Sequence, residues 1–198
     1  LLLIIFTVYY LLGLGIDFAV DKLSPQQEES LSKKIGQEFF GMSRDKEMCS
    51  YLQKTIEAIQ NKCIDLPYKV NVFAVNNKDV NAIAMPGGTI LVFSGLLEKI
   101  GSENELTFIL AHELGHFKNK DHLRGAGRAI VLMVLYSMLL GGNGGIDSIL
   151  TPFLTFSESR HSREQESKAD ANALKIVQCY YGHVGGSTDF FEGMLQEE

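Results

Sequence analysis

Two histidines set one helical turn apart, His112 and His116, flank an acid in the run His112-Glu113-Leu114-Gly115-His116. Residues four apart share a helix face, so both imidazoles can reach one metal ion, and Glu113, about 100° round the axis, can meet a water on that ion. The pattern therefore demands a helix. Ser102-Glu103-Asn104-Glu105 supplies a capping box to open one, and Leu106, Ile109 and Leu110 carry its apolar face onward to about Lys120. With 5 histidines in 198 residues, chance produces such a run about 0.01 times per chain. A structural zinc is normally closed by four ligands rich in cysteine, and Cys49, Cys63 and Cys179 all lie far from the motif in sequence. The three cysteines are odd in number and show no C-x-x-C spacing, so they define no disulfide scaffold. The motif points to a catalytic metal whose bound water loses its proton to a neighbouring carboxylate.

Such a metal needs a third protein ligand, and two residues compete for the place. His122 follows His116 by six residues, the spacing of His-Glu-x-x-His-x-x-Gly-x-x-His, although Asn119 stands where that pattern has glycine. Asparagine tolerates a left-handed turn better than most residues. The other candidate is Glu166. If residues 162–170 are helical, Glu166 and Asp170 stack one turn apart, so that Glu166 binds metal while Asp170 accepts the second ring N–H of a ligating histidine. Ala169 and Ala173 would then let the first helix approach closely. A plainer reading makes Arg163, Glu164, Glu166 and Lys168 a solvated face with intrahelical ion pairs, and spacing alone leaves these options open.

The rest of the chain reads as α+β. Ser24-Pro25-Gln26-Gln27 starts a helix towards Phe39 and Phe40, and Met48, Leu52, Ile56 and Ile59 recur at helical spacing in a second. Tyr68 to Val75, Val80 to Met85 and Thr89 to Phe93 are strand-like, and the turns Asn76-Asn77 and Pro86-Gly87-Gly88 predict a small antiparallel sheet. A net charge of −6 argues against a nucleic-acid partner. Leu1 to Ile16 carries no charge and reaches roughly 24 Å as a helix, short of the roughly 30 Å hydrocarbon core. The chain begins at Leu1, so a longer parent span is expected, with residues 1–20 an anchor remnant and 21–198 the working domain; a helix buried in a protein core and a signal-peptide remnant are the alternatives. A second apolar tract, residues 129–156, is split by Gly141-Gly142-Asn143-Gly144-Gly145 and preceded by Lys118, Lys120, Arg124 and Arg128. It reads as an insert dipping into a membrane surface, or as two core helices joined by a glycine loop.

Beyond the helix motif, Asn81-Ala82-Ile83-Ala84-Met85-Pro86-Gly87-Gly88 and the segment Ser162-Arg163 through Glu166, Ala169 and Asp170 are similar to the Asn-Ala-Phe-Ala-x-Pro-Gly-Gly and Ser-Arg-x-x-Glu-x-x-Ala-Asp signatures of one family. In this order the three motifs resemble the membrane-linked zinc metallopeptidases of the HtpX, CAAX prenyl protease and BepA/LoiP type, in the gluzincin branch, over roughly residues 24–195. The resemblance implies a mostly helical, zincin-like metallopeptidase domain with the sheet beside the active-site helix. It favours Glu166 over His122, giving one zinc per chain held by His112, His116 and Glu166, with Glu113 activating water and Asp170 orienting a ligand. It also implies a polypeptide substrate paired along an edge strand, for which Thr89 to Phe93 is the candidate, contact with membrane lipid, and anchoring in a bacterial cell envelope. Relatives of the BepA and LoiP type carry a later His-Pro segment with a downstream Arg that is not found up to Glu198, so no transition-state stabiliser is assigned and one is expected outside this stretch. Two rivals stand beside the endopeptidase: a membrane-tethered binding or chaperone-like module with an occluded or degenerate metal site, and a prenyl-peptide protease, which too few spanning segments disfavour.

Overall fold

The computed structural model describes residues 45–85, 87–124 and 161–197, with a few isolated positions between 10 and 26. The apolar tract at 129–156 lies outside the described residues, and so, almost entirely, do the anchor remnant and the helix expected from Ser24. Among the described residues no helix is long and apolar enough to cross a membrane.

Helix α1 (Lys46–Cys63) starts where the Asp45 carboxylate accepts the Met48 N–H at 2.8 Å, and it buries Leu52, Ile56 and Ile59 on one face. Three strands follow: β1 (Asn71–Val75), β2 (Ala82–Met85) and β3 (Thr89–Phe93). The sheet is mixed rather than antiparallel. Its order is β1-β3-β2, with β3 parallel to β1 and antiparallel to β2. The cause is visible in β3 itself: all five residues of Thr-Ile-Leu-Val-Phe are buried, while β1 alternates exposed and buried positions. A strand apolar on both faces belongs at the centre of a sheet, where both edges and both faces are covered. Gly87 (φ 85°) and Gly88 (φ 69°) fold β2 back onto β3, and a side chain on Gly88 would meet the Tyr68 ring at 2.8 Å. Thr89–Phe93 is therefore not the edge strand that the resemblance suggested. The edges are β1 and β2.

The β1 edge is sealed by side chains of α1. The Gln60 amide donates to Tyr68 O and accepts from Val70 N, the Gln53 amide donates to Val70 O and accepts from Val72 N, and Ala74 N donates to Cys49 Sγ. Each glutamine satisfies a donor and an acceptor as a fourth strand would, which removes an open template for pairing. Asn81 O accepts from Phe93 N, so the alternation of an antiparallel ladder turns the backbone groups of Ala82 and Ala84 to the outer edge of β2.

After the short α2 (Ser94–Lys99), α3 (Glu103–Lys118) opens at Ser102, whose hydroxyl accepts from Glu105 N, while Glu105 accepts from Gly101 N. Most of its residues are buried. Helix α4 (Arg163–Tyr181) begins with a complete capping box between Ser162 and Gln165 and ends at Gly182 in the left-handed region, φ 83°. Helix α5 (Asp189–Glu197) closes the described chain. Cys63 at the end of α1 is disulfide-bonded to Cys179 near the end of α4, with Cα atoms 5.8 Å apart, and Cys49 is not part of that disulfide. Helices α3 and α4 approach closely at Gly115 and Ala169. A Cβ on Gly115 would lie 3.0 Å from Ala169 Cα and 3.2 Å from its carbonyl oxygen. This contact brings the residues of α4 within reach of the motif on α3.

Candidate active site

His112 and His116 project from one face of α3 with their Nε2 atoms 3.0 Å apart. Glu166, from the first turn of α4, sets Oε2 3.3 Å from His112 Nε2 and Oε1 3.7 Å from His116 Nε2. One donor atom from each of the three lies within 4.8 Å of the others. Asp170, one turn further along α4, accepts His112 Nδ1–H at 2.8 Å. This bond holds a proton on Nδ1, so Nε2 is the nitrogen left to a metal once its own proton is displaced.

The structure places His122 elsewhere. Asn119, the residue at the glycine position of the extended motif, has right-handed geometry, φ −89°; the left-handed residue is Lys120, φ 58°. That turn sends His122 into the interior, where it is 1% exposed. Its Nδ1 lies 3.3 Å from His116 O and its ring stands edge-on to Phe117. The same turn swings Asp121 back onto the site. Asp121 is buried, and its Oδ2 sits 3.3 Å from His116 Nδ1, so each imidazole of the pair has its own carboxylate behind it. Sequence reasoning missed Asp121. A carboxylate five residues after a motif histidine, just past the helix end, was the available signal. It also missed His161, whose ring stacks on that of His116 at 4.0 Å and 18°.

Glu113 is buried on the cleft wall. Burial pushes its carboxyl upward, and this outweighs the opposing pull of His116, His112 and a hydrogen bond from the Ala84 N–H. Burial works against charge on His112 as well, yet the hydrogen bond to Glu166, the charges of Glu113 and Glu166 and the bond to Asp170 together raise its imidazolium to about 9. The hydrogen bond from His112 in turn holds the Glu166 carboxyl below the ordinary range. The carboxylates of Glu166, Asp170 and Asp121 thus stand around the imidazole pair. The cleft encloses about 320 Å³, walled on one side by Val80 to Ala84 and on the other by His112, Glu113, His116, His161 and Glu166.

A pair of imidazoles one turn apart, a carboxylate from a second helix and a buried acid beside them make the donor arrangement of a metal-dependent peptidase. The chain belongs to peptidase family M48, whose profile matches residues 45–196. Similar proteins include the mitochondrial metalloendopeptidase OMA1 of Arabidopsis thaliana, 33% identical over 54% of this chain and 22% of that protein. The metalloprotease LoiP of Escherichia coli (strain K12) is 28% identical over 91% of this chain and 74% of its own length. A protease HtpX homolog of Nostoc sp. is 26% identical over 84% and 65%. The chain therefore spans from 22% to 74% of the length of these three relatives. Membership implies a metal, and the residues fit one: two imidazole nitrogens and a carboxylate converge, and behind each imidazole a second carboxylate orients the ring.

Proposed function

We propose that this chain is the catalytic domain of a zinc-dependent endopeptidase, with one zinc held by His112, His116 and Glu166. The convergence of those three donors beside a buried acid carries the reading. When bound, zinc supplies Lewis acidity and eases the deprotonation of water. Glu113 is the base. Its carboxyl, raised by burial and held by the Ala84 N–H, is suited to take a proton from water and return it to the leaving amine nitrogen. Asp170 and Asp121 are positioning residues that hold the two imidazoles through their Nδ1 atoms.

The substrate is a polypeptide laid along the outer edge of β2, rather than along Thr89–Phe93. The backbone groups of Ala82 and the carbonyl of Ala84 face that side, and the strand forms a wall of the cleft. Strand addition there would read the substrate main chain and leave selectivity to side-chain pockets. The sealed β1 edge supports this choice. The uncharged stretch from Leu1 to Ile16 supports attachment to a membrane, with membrane-associated or misfolded proteins as the substrate class. The intact donor set favours the hydrolase over a module with a degenerate metal site.

Glu113→Gln tests the reading directly. The variant is expected to bind zinc with the stoichiometry of the parent and to lose cleavage of an unfolded protein by about 10²-fold or more. Undiminished, chelator-sensitive cleavage by the zinc-loaded variant would reject the assignment.

A further inference from the structure

We propose that Gln165 is a positioning residue for the metal ligand His116, acting through Asp121, and that it ties metal binding to the first turn of α4. The inference rests on the reading of His116 as a ligand. Gln165 occupies the third position of α4 and uses its side-chain amide in two directions. Its Oε1 accepts the Ser162 N–H at 2.8 Å, completing the capping box. Its Nε2 donates to Asp121 Oδ1 at 2.7 Å. The other oxygen of Asp121 faces His116 Nδ1. A chain of bonds therefore runs from the start of α4 to the imidazole on α3 without passing through Glu166.

A capping box alone does not need an amide, since glutamate at this position caps as well as glutamine. The amide is needed by Asp121. That carboxylate is 3% exposed, and Arg124 Nη1 stands 3.7 Å from Oδ1, beyond hydrogen-bond distance, so among the described residues the short bond from Gln165 is what holds Oδ1 and, through it, the angle of Oδ2 towards His116. His161, four residues before Gln165, stacks on the face of the His116 ring. The imidazole is thus fixed in plane by Asp121 and over its face by the residue leading into α4.

The two roles of Gln165 can be separated. Ser162→Ala removes the cap and leaves the donor to Asp121. Gln165→Glu keeps the cap and replaces that donor with a second carboxylate facing Asp121. Zinc affinity is measured by competition with a chromophoric chelator, thermal stability on the metal-free protein, and ligand geometry by the visible spectrum of the cobalt(II) form. Expected for Ser162→Ala is a lower melting temperature with zinc affinity within about threefold of the parent. Expected for Gln165→Glu is a loss of zinc affinity of about 10- to 100-fold, the usual effect of disturbing a group behind a metal ligand, with a shifted cobalt band. Should that variant not fold, Gln165→Met compared with Ser162→Ala carries the same expectation. Zinc affinity unchanged in the Gln165 variant, or falling equally in both, would overturn the inference and leave Gln165 a helix cap. A parent protein that binds no zinc would overturn the inference and the proposed site together.

Discussion

Adding one methyl group at Gly115 should loosen the metal without unfolding the protein. An alanine Cβ there would sit 3.0 Å from Ala169 Cα, 3.2 Å from its carbonyl oxygen and 3.4 Å from its Cβ. Two of those atoms are backbone, so the strain cannot be relieved by turning a side chain, and α4 must move away by about half an ångström to restore ordinary contact. Overpacking of this kind costs about 1–3 kcal/mol. Replacing glycine by alanine inside a helix returns about 1 kcal/mol, so the metal-free protein loses only about 0–2 kcal/mol. The site has no such compensation. Ala169 lies between Glu166 and Asp170 on α4, and a shift of that helix carries both carboxylates away from His112 and His116 together. A loss of zinc affinity of at least about tenfold is expected, or about 1.4 kcal/mol. Chelator competition reads the affinity, and thermal denaturation of the metal-free protein reads the fold. A folded Gly115→Ala protein with parental zinc affinity would refute the idea that the approach of α3 and α4 sets the ligand geometry.

Glu166→Ala should abolish stoichiometric zinc, whereas His122→Ala should retain it at some cost in stability; metal analysis after dialysis separates the two, and the opposite result would restore the histidine reading. The raised His112 imidazolium sets a pH dependence for the metal-free protein. Its stabilisation, up to about 3 kcal/mol, is fully present below pH 6.5 and lost as pH rises through about 9, which denaturation at pH 6 and pH 10 can test. Zinc must displace the same proton, so its apparent affinity should climb by up to tenfold per pH unit towards pH 9 and then level; a flat profile from pH 7 to 9 would contradict this. Gln60→Leu leaves Tyr68 O and Val70 N without their amide partner and should cost about 1–3 kcal/mol in denaturant unfolding.

Several elements were legible because local physics decides them. The Ser102 cap, the apolar spacing of Leu52, Ile56 and Ile59, and the glycine turn at Gly87 and Gly88 all act within a few residues, and each marks an element that the structure contains. The sheet was misread for the opposite reason. Turn signals gave three strands in a row, but the order β1-β3-β2 depends on which strand is covered on both faces, and that is settled by tertiary packing rather than by the turns. Asp121 escaped notice because its role depends on a left-handed Lys120, a conformation that lysine rarely adopts. The pairing of Cys63 with Cys179 likewise needs α1 and α4 to end side by side, 116 residues apart in sequence.

The amino-acid order by itself determined that two imidazoles and an acid share one helix, because a period of 3.6 residues admits no other arrangement of a His-Glu-x-x-His run. Tertiary structure decided which distant group faces them. Glu166 and His122 both had plausible spacing, and they are told apart by a backbone turn that buries the histidine and by a glycine–alanine contact that brings α4 within reach, since a third donor is placed by packing between helices rather than by position along one.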